Sequence, residues 1–256
     1  MKIALLQTDI IWHNPQGNLE HADELLMQLE ADTQLAVFPE MFSTGFCINP
    51  SVELAAEGSR TIEAVKAMAG KRGIAVCGSV ICYENEKFFN RFFAAPPDGK
   101  VITYDKRHLF RMGDEHHVYT AGTKRITFEY KGIRFLPQIC YDLRFPVFSR
   151  NRNDYDVVIY VANWPSLRYE PWRKLLMARG IENYCYCIGV NRVGTDGNGY
   201  EYSGNSMASD YNGTVLCEST ERKEEILYAD ISMEKLANFR AKFPVWMDGD
   251  EFELKL

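Results

Sequence analysis

Hydrophobic and polar positions recur along this chain with two periods. Short apolar runs at Lys2–Asp9, Gln34–Pro39 and Gly73–Tyr83 read as buried strands. Between them, apolar residues fall three and four apart. Asn18–Glu30 places Leu19, Ala22, Leu25, Leu26 and Leu29 on one helical face, and Thr61–Lys71 reads as a second helix with Gly70 and Gly73 at its end. Further on, the pattern changes to paired strands. Phe88–Ala95 and Lys100–Asp105 join through Asp98-Gly99, Arg125–Tyr130 and Gly132–Cys140 turn at Lys131-Gly132, and Ser206–Tyr211 pairs with Gly213–Cys217 across Asn212-Gly213. Pro137 argues against full pairing of its strand, because it has no N–H to donate. Asp156–Ala162, Tyr184–Val193 and Glu225–Ile231 are further strands, with helices at Glu170–Asn183 and Glu234–Lys242. About a dozen strands mixed with four or five helices predict a layered α/β sandwich in which helices cover sheets.

Composition narrows the function classes. With 256 residues, 46% hydrophobic and 25% charged, the chain can bury a sizeable core. It shows no Pro/Gly/Ser-rich linker, so residues 1–256 read as a single domain. The formal net charge of -6, with no basic stripe to offset it, argues against nucleic acid as a partner. No apolar run approaches the roughly 18 residues of a membrane span, and the N-terminal run is too short for a signal peptide, so a cytoplasmic, membrane-free protein is expected. The odd count of seven cysteines shows no disulfide spacing. Cys77, Cys82, Cys185, Cys187 and Cys217 sit in apolar runs and read as core, whereas Cys47 lies close after Glu40 and stays open. There is no GxGxxG after the first strand, and no cofactor or metal is called for.

Cys140 stands apart. It ends the apolar run Leu136-Pro137-Gln138-Ile139, and Tyr141-Asp142-Leu143-Arg144 follow at once. A thiol at the mouth of a sheet is placed to meet a substrate. Attack on an amide requires a group to take the thiol proton, donors for the tetrahedral oxyanion, and a proton for the departing ammonia. Glu40, after Phe38-Pro39, can be base and then acid. Lys106, in Tyr104-Asp105-Lys106-Arg107-His108, is a compact cation for the oxyanion, with the backbone N–H of Tyr141 as a second donor. Each also has a plain reading: a strand-end cap, a solvated basic turn, one more buried thiol.

Three segments together resemble the nitrilase, or carbon-nitrogen hydrolase, superfamily: Pro39-Glu40, Tyr104-Asp105-Lys106-Arg107-His108-Leu109, and Cys140-Tyr141-Asp142-Leu143-Arg144-Phe145-Pro146. The similarity extends to Leu5-Leu6-Gln7, the strand around Asn90, Tyr160–Pro165 and Ala178–Asn183. It implies a four-layer α-β-β-α sandwich, a Glu40–Lys106–Cys140 triad working through a thioester, and a homodimer formed through helices near the cysteine. It also implies a second glutamate, Glu115, orienting the lysine and the substrate.

Phe42-Ser43-Thr44-Gly45-Phe46 and Lys242-Phe243-Pro244-Val245-Trp246 resemble the bacterial omega-amidase group. That implies hydrolysis of the terminal amide of 2-oxoglutaramate or 2-oxosuccinamate, beside methionine salvage. Such a small-molecule amide has a carboxylate far from the scissile bond. Arg111, His116, Arg168 and Arg192 are candidates to bind it, with Phe42, Tyr141, Asn163 and Trp164 as walls. Arg144, Arg179, Glu182 and Asn183 read instead as buried ion pairs holding the cysteine turn.

Other readings are an amidase or N-carbamoyl hydrolase of the same superfamily with another small substrate, and an idle scaffold on the same fold. A Cys-phosphatase would place Arg where Pro146 stands. A Cys-His hydrolase lacks a matching histidine context. A metal hydrolase would need His116 and His117 to converge, whereas neighbouring histidines point apart on most backbones.

Overall fold

A computed structural model describes residues 1–219 and 222–255. The first half of the chain contributes β1 (Lys2–Gln7), α1 (Pro15–Met27), β2 (Thr33–Val37), α2 (Val52–Arg72), β3 (Ala75–Glu84), β4 (Lys87–Ala95), β5 (Ile102–Asp105) and the short α3 (Glu115–Val118). The second half contributes β6 (Phe128–Tyr130), β7 (Ile133–Ile139), the short α4 (Pro146–Ser149), β8 (Val157–Ala162), α5 (Tyr169–Asn183), β9 (Tyr186–Asn191), β10 (Val193–Thr195), β11 (Glu201–Ser203), β12 (Met207–Ser209), β13 (Val215–Glu218), β14 (Glu225–Asp230) and α6 (Met233–Lys242).

The strands form two six-stranded sheets, ordered β14-β1-β2-β3-β4-β5 and β13-β12-β9-β8-β7-β6, with β10 and β11 as a separate ribbon. In each sheet three parallel strands sit at the centre, β1-β2-β3 and β7-β8-β9, with antiparallel partners outside them.

Strand alternation explains the four layers, because successive side chains point to opposite faces. Ile3, Leu5, Leu35, Val37 and Cys77 meet Phe135, Val157, Ile159 and Ile188 in the core between the sheets. Their neighbours Ala4, Leu6, Ala36 and Val76 face the other way, onto Leu25 and Leu26 of α1 and Val65 and Ala69 of α2. In the second sheet Leu136, Val158, Tyr160 and Cys187 pack on Trp172 and Leu176 of α5. The order is therefore helix, sheet, sheet, helix, the α-β-β-α sandwich that the resemblance implies.

Several element boundaries differ from expectation. α1 starts earlier, at Pro15, with Asn14 Oδ1 accepting from Gly17 N at 3.1 Å. α2 begins nine residues ahead of its predicted Thr61 start, at Val52, where Ser51 Oγ accepts from Leu54 N at 3.1 Å. Gly58 disguised that first half. It is tolerated mid-helix because a Cβ there would lie 1.8 Å from the Ile81 carbonyl oxygen. Pro137 pairs with β8 opposite Ile159, but the β6 ladder ends at Phe135, so no second partner is needed there. The β10–β11 ribbon was not predicted. Cys77, Cys82, Cys185 and Cys187 are buried and Cys217 is partly so. Cys47 packs among Met41, Ala55, Ile81 and Tyr119, and burial pushes its thiol pKa up.

Candidate active site

The site forms where strands of both sheets end. Glu40 follows β2, Lys106 follows β5, Cys140 follows β7 and Asn163 follows β8. Two of these turns are strained: Met41, just after Glu40, and Cys140 itself have φ of 45°. A non-glycine residue in this left-handed region is uncommon and marks a turn held by its surroundings. For Cys140 it folds the chain abruptly at the strand end, turning the thiol toward the gap between the sheets.

Lys106 is buried between two carboxylates. Its Nζ donates to Glu40 Oε1 at 2.9 Å and to both Glu115 oxygens at 3.0 Å. Burial opposes its charge, but Glu115 and Glu40 outweigh that and hold its pKa above the usual value. Burial raises the Glu115 pKa; Lys106 opposes the rise and Glu40 adds to it. Glu115 also accepts from Phe110 N at 2.6 Å, which anchors its turn. Burial likewise holds the Cys140 thiol well above its ordinary value, with Glu40 adding to the rise and Lys106 opposing it. Cys140 therefore rests as a thiol and needs a base to become a nucleophile.

Two further donors hold Glu40. Asn90 Nδ2 donates to its Oε1 at 2.7 Å and Asn163 N to its Oε2 at 2.8 Å. Asn90 is oriented in turn by Ser79, whose Oγ donates to Asn90 Oδ1 at 3.0 Å and accepts from Met41 N at 2.9 Å. Asn90 and Ser79 were not assigned roles from the sequence. The available signal was one amide inside the apolar strand Phe88-Phe89-Asn90-Arg91-Phe92-Phe93. Asn163 Nδ2 donates to the Glu40 carbonyl at 2.6 Å, while Asn163 Oδ1 is buried without a partner among the described residues.

Above these groups opens a cavity of about 460 Å³ lined by Glu40, Lys106, Cys140, Tyr141, Asn163 and Trp164, with Phe46, Phe110, Arg144, Arg168, Asp196 and Tyr202 among its walls. Arg144 lies over the Trp164 ring at 4.9 Å and Arg168 over Phe110 at 5.7 Å. Among the described residues neither guanidinium has a carboxylate partner.

Of the pocket residues expected from sequence, Tyr141, Asn163, Trp164 and Arg168 line this cavity. Four others lie elsewhere. Phe42 is core, stacked on Phe38 at 4.7 Å, because its side chain points to the helix-covered face. Arg192 is fully buried and donates to Asp9 at 2.6 Å, bracing the base of the ribbon. Arg111 is exposed outside the cavity. The His116 ring lies 3.9 Å from that of His117, tilted by 38°, and does not line the cavity. Those two rings do not point apart as expected: with Asp114 they bring donor atoms within 4.8 Å of one another, outside the Cys140 cavity. Arg144 moves the other way. Among the described residues it forms no ion pair, while Arg179 pairs with Glu182 at 2.8 Å and donates to the Leu143 carbonyl at 2.6 Å, bracing the cysteine turn. Asn183, an uncharged amide, takes part through hydrogen bonds instead, accepting from Asn151 N at 2.9 Å.

Comparison with known proteins shows the family. The carbon-nitrogen hydrolase family matches residues 2–241, and the chain belongs to that family of enzymes. It is 44% identical over 256 residues to omega-amidase YafV of Escherichia coli K12, covering 99% of this chain and 98% of that one. It is 34% identical over 251 residues to 2-oxoglutaramate amidase of Bacillus subtilis, covering 96% of each. XC1258 of Xanthomonas campestris, a CN-hydrolase superfamily protein with an arsenic adduct in its active site, superposes with a TM-score of 0.94 at 42% identity, covering 100% of this chain and 99% of that one.

Proposed function

We propose that the chain is an omega-amidase. It hydrolyses the terminal amide of 2-oxoglutaramate or 2-oxosuccinamate to the 2-oxo dicarboxylate and ammonia. The observation that carries this reading is a buried thiol–carboxylate–ammonium cluster in a cavity whose walls hold two guanidiniums with no carboxylate partner among the described residues. An amide at one end of a substrate and a carboxylate at the other match that polarity.

In this reading Cys140 Sγ attacks the amide carbon while Glu40 takes its proton. The oxyanion is met by Lys106 Nζ and Tyr141 N–H. Asn163 Oδ1 accepts from the substrate NH₂, giving that buried oxygen the partner it lacks. Collapse breaks the C–N bond, and Glu40 returns its proton to the leaving ammonia. Water, deprotonated by Glu40, then attacks the thioester, and the thiolate departs and recovers the proton. Glu115 holds Lys106 in place, while Arg144 and Arg168 clasp the distal carboxylate. The reading also carries one catalytic domain over residues 1–256, a homodimer, a cytoplasmic setting and work beside methionine salvage. Among the described residues, no helix is long and apolar enough to cross a membrane.

The test is ammonia release from 2-oxoglutaramate beside a Cys140→Ala control, with simple amides, nitriles and N-carbamoyl compounds as comparators. Release from the 2-oxo amide that vanishes in the variant is the expected result. Release from a comparator alone would move the substrate and keep the cysteine chemistry.

A further inference from the structure

The catalytic groups come from different sheets: Glu40 and Lys106 from the first, Cys140 from the second. Their separation is therefore not set by any one ladder of backbone hydrogen bonds. Something must hold the two strand ends in register with one another.

We infer that Asp142 is the positioning residue that sets Cys140 against Lys106. Asp142 is fully buried, two residues beyond the thiol. Its Oδ2 accepts from Tyr104 Oη at 2.8 Å and Ile139 N at 2.9 Å. Its Oδ1 accepts from His108 N at 3.0 Å and His108 Nδ1 at 2.7 Å. Four donors fill the four lone-pair sites of one carboxylate. They are not scattered. Ile139 immediately precedes Cys140, so that bond closes the strained turn. Tyr104 and His108 each stand two residues from Lys106, one on either side. The Tyr104 hydroxyl also accepts from Arg107 N at 3.1 Å, tying in the residue after the lysine. The His108 ring is fixed by stacking on Phe145 at 3.8 Å with planes 5° apart. One buried anion thus bolts the nucleophile turn to the lysine segment.

The isosteric change Asp142→Asn exposes this role. An amide has one acceptor oxygen and one NH₂. Whichever way it is turned, the NH₂ faces the backbone N–H of either Ile139 or His108, and two donors cannot bond. The chain must shift there, and a displacement of about 1 Å between reacting groups lowers turnover by about a hundredfold.

The test measures the full-length Asp142→Asn protein in two ways: kcat and KM on 2-oxoglutaramate, and the rate at which iodoacetamide alkylates Cys140, followed by peptide mass spectrometry. The expected result is a kcat lower by about a hundredfold, KM within about threefold, and alkylation slower by about tenfold or more. Tyr104→Phe and His108→Phe each remove one side-chain bond to Asp142, the first also losing the bond from Arg107 N and the second keeping a ring on Phe145; both should show smaller losses in the same direction. A residue that only stabilises the fold would lower the urea midpoint and leave alkylation of the folded protein alone. A folded Asp142→Asn enzyme with kcat within threefold of the parent overturns the inference, and so does a loss of kcat with unchanged alkylation. Should Asp142→Asn fail to fold, unchanged kcat and alkylation in both companion variants overturn it. Alkylation uses no substrate, so the inference stands or falls separately from the omega-amidase reading.

Discussion

At the scale of single residues, the site is a charge-balance problem. A thiol held well above its usual pKa by burial has no reactivity without a base, and Glu40 is the carboxylate beside it. Cys140→Ala should therefore abolish ammonia release with the circular dichroism spectrum unchanged. Glu40→Gln and Lys106→Ala should each lower kcat by about a hundredfold or more, the scale of losing a general base or an oxyanion donor. The guanidiniums make a different prediction. Arg144→Leu and Arg168→Leu should each raise KM for 2-oxoglutaramate by about tenfold or more, and change turnover of an uncharged amide little. Equal effects on both substrates would remove the clasp. Glu40, Lys106 and Cys140 could be singled out because each stands at an abrupt change from apolar to polar sequence, inside a segment that resembles the nitrilase superfamily. Arg144 was not. It shares a turn with buried Asp142 and Leu143, and only the path of the backbone shows that its side chain turns out over Trp164. Phe42 failed for the same reason in reverse.

At the scale of elements, strands that alternate or hairpins that turn at Asp-Gly and Asn-Gly were readable, because local chemistry dictates them. The first half of α2 was not. Gly58 lowers helix propensity, and the reason it is there lies on β3, where the Ile81 carbonyl passes too close for a side chain. Gly58→Ala should accordingly destabilise the protein by about 1–3 kcal/mol although alanine favours helices, seen as a lower urea midpoint. A rise in that midpoint would mean α2 can lift off the sheet at little expense. The β10–β11 ribbon has only three residues per strand, below what a periodicity can reveal, yet it carries Tyr202 and flanks Asp196 on the cavity wall.

At the scale of the whole molecule, ion pairs join distant segments. Asp156 receives Arg134 of β7 at 2.7 Å and Arg240 of α6 at 2.7 Å. Burial works against its charge, but these arginines outweigh it and hold the carboxyl pKa below its ordinary value near 3.8. A depressed carboxylate contributes stability that is fully present above its unfolded pKa and lost as pH falls through the folded one. Between about pH 4 and lower pH the parent protein should thus lose more stability than Asp156→Asn, so the two urea midpoints should converge on acidification. Midpoints that stay parallel from pH 7 to pH 3 would show that the pair carries no linkage. EDTA should leave turnover unchanged, since every step of the proposed mechanism uses water and groups of this chain; activity lost to EDTA and restored by zinc would reopen the metal reading.

The division between what sequence and tertiary structure each decide follows from the range of the forces involved. Residue order alone determines the alternation of apolar and polar positions, the turns, and the placing of Glu40, Lys106 and Cys140 at strand ends, because these depend on neighbours a few positions apart. Only the packed molecule decides which faces meet. It brings Asn90 and Glu115 onto the same Lys106–Glu40 pair, sends Phe42 and Arg192 into the interior, and turns Arg144 and Arg168 toward one cavity. Those contacts join residues of different strands, loops and sheets, and the side chain a residue meets there is set by strand register and sheet packing, which no local pattern encodes.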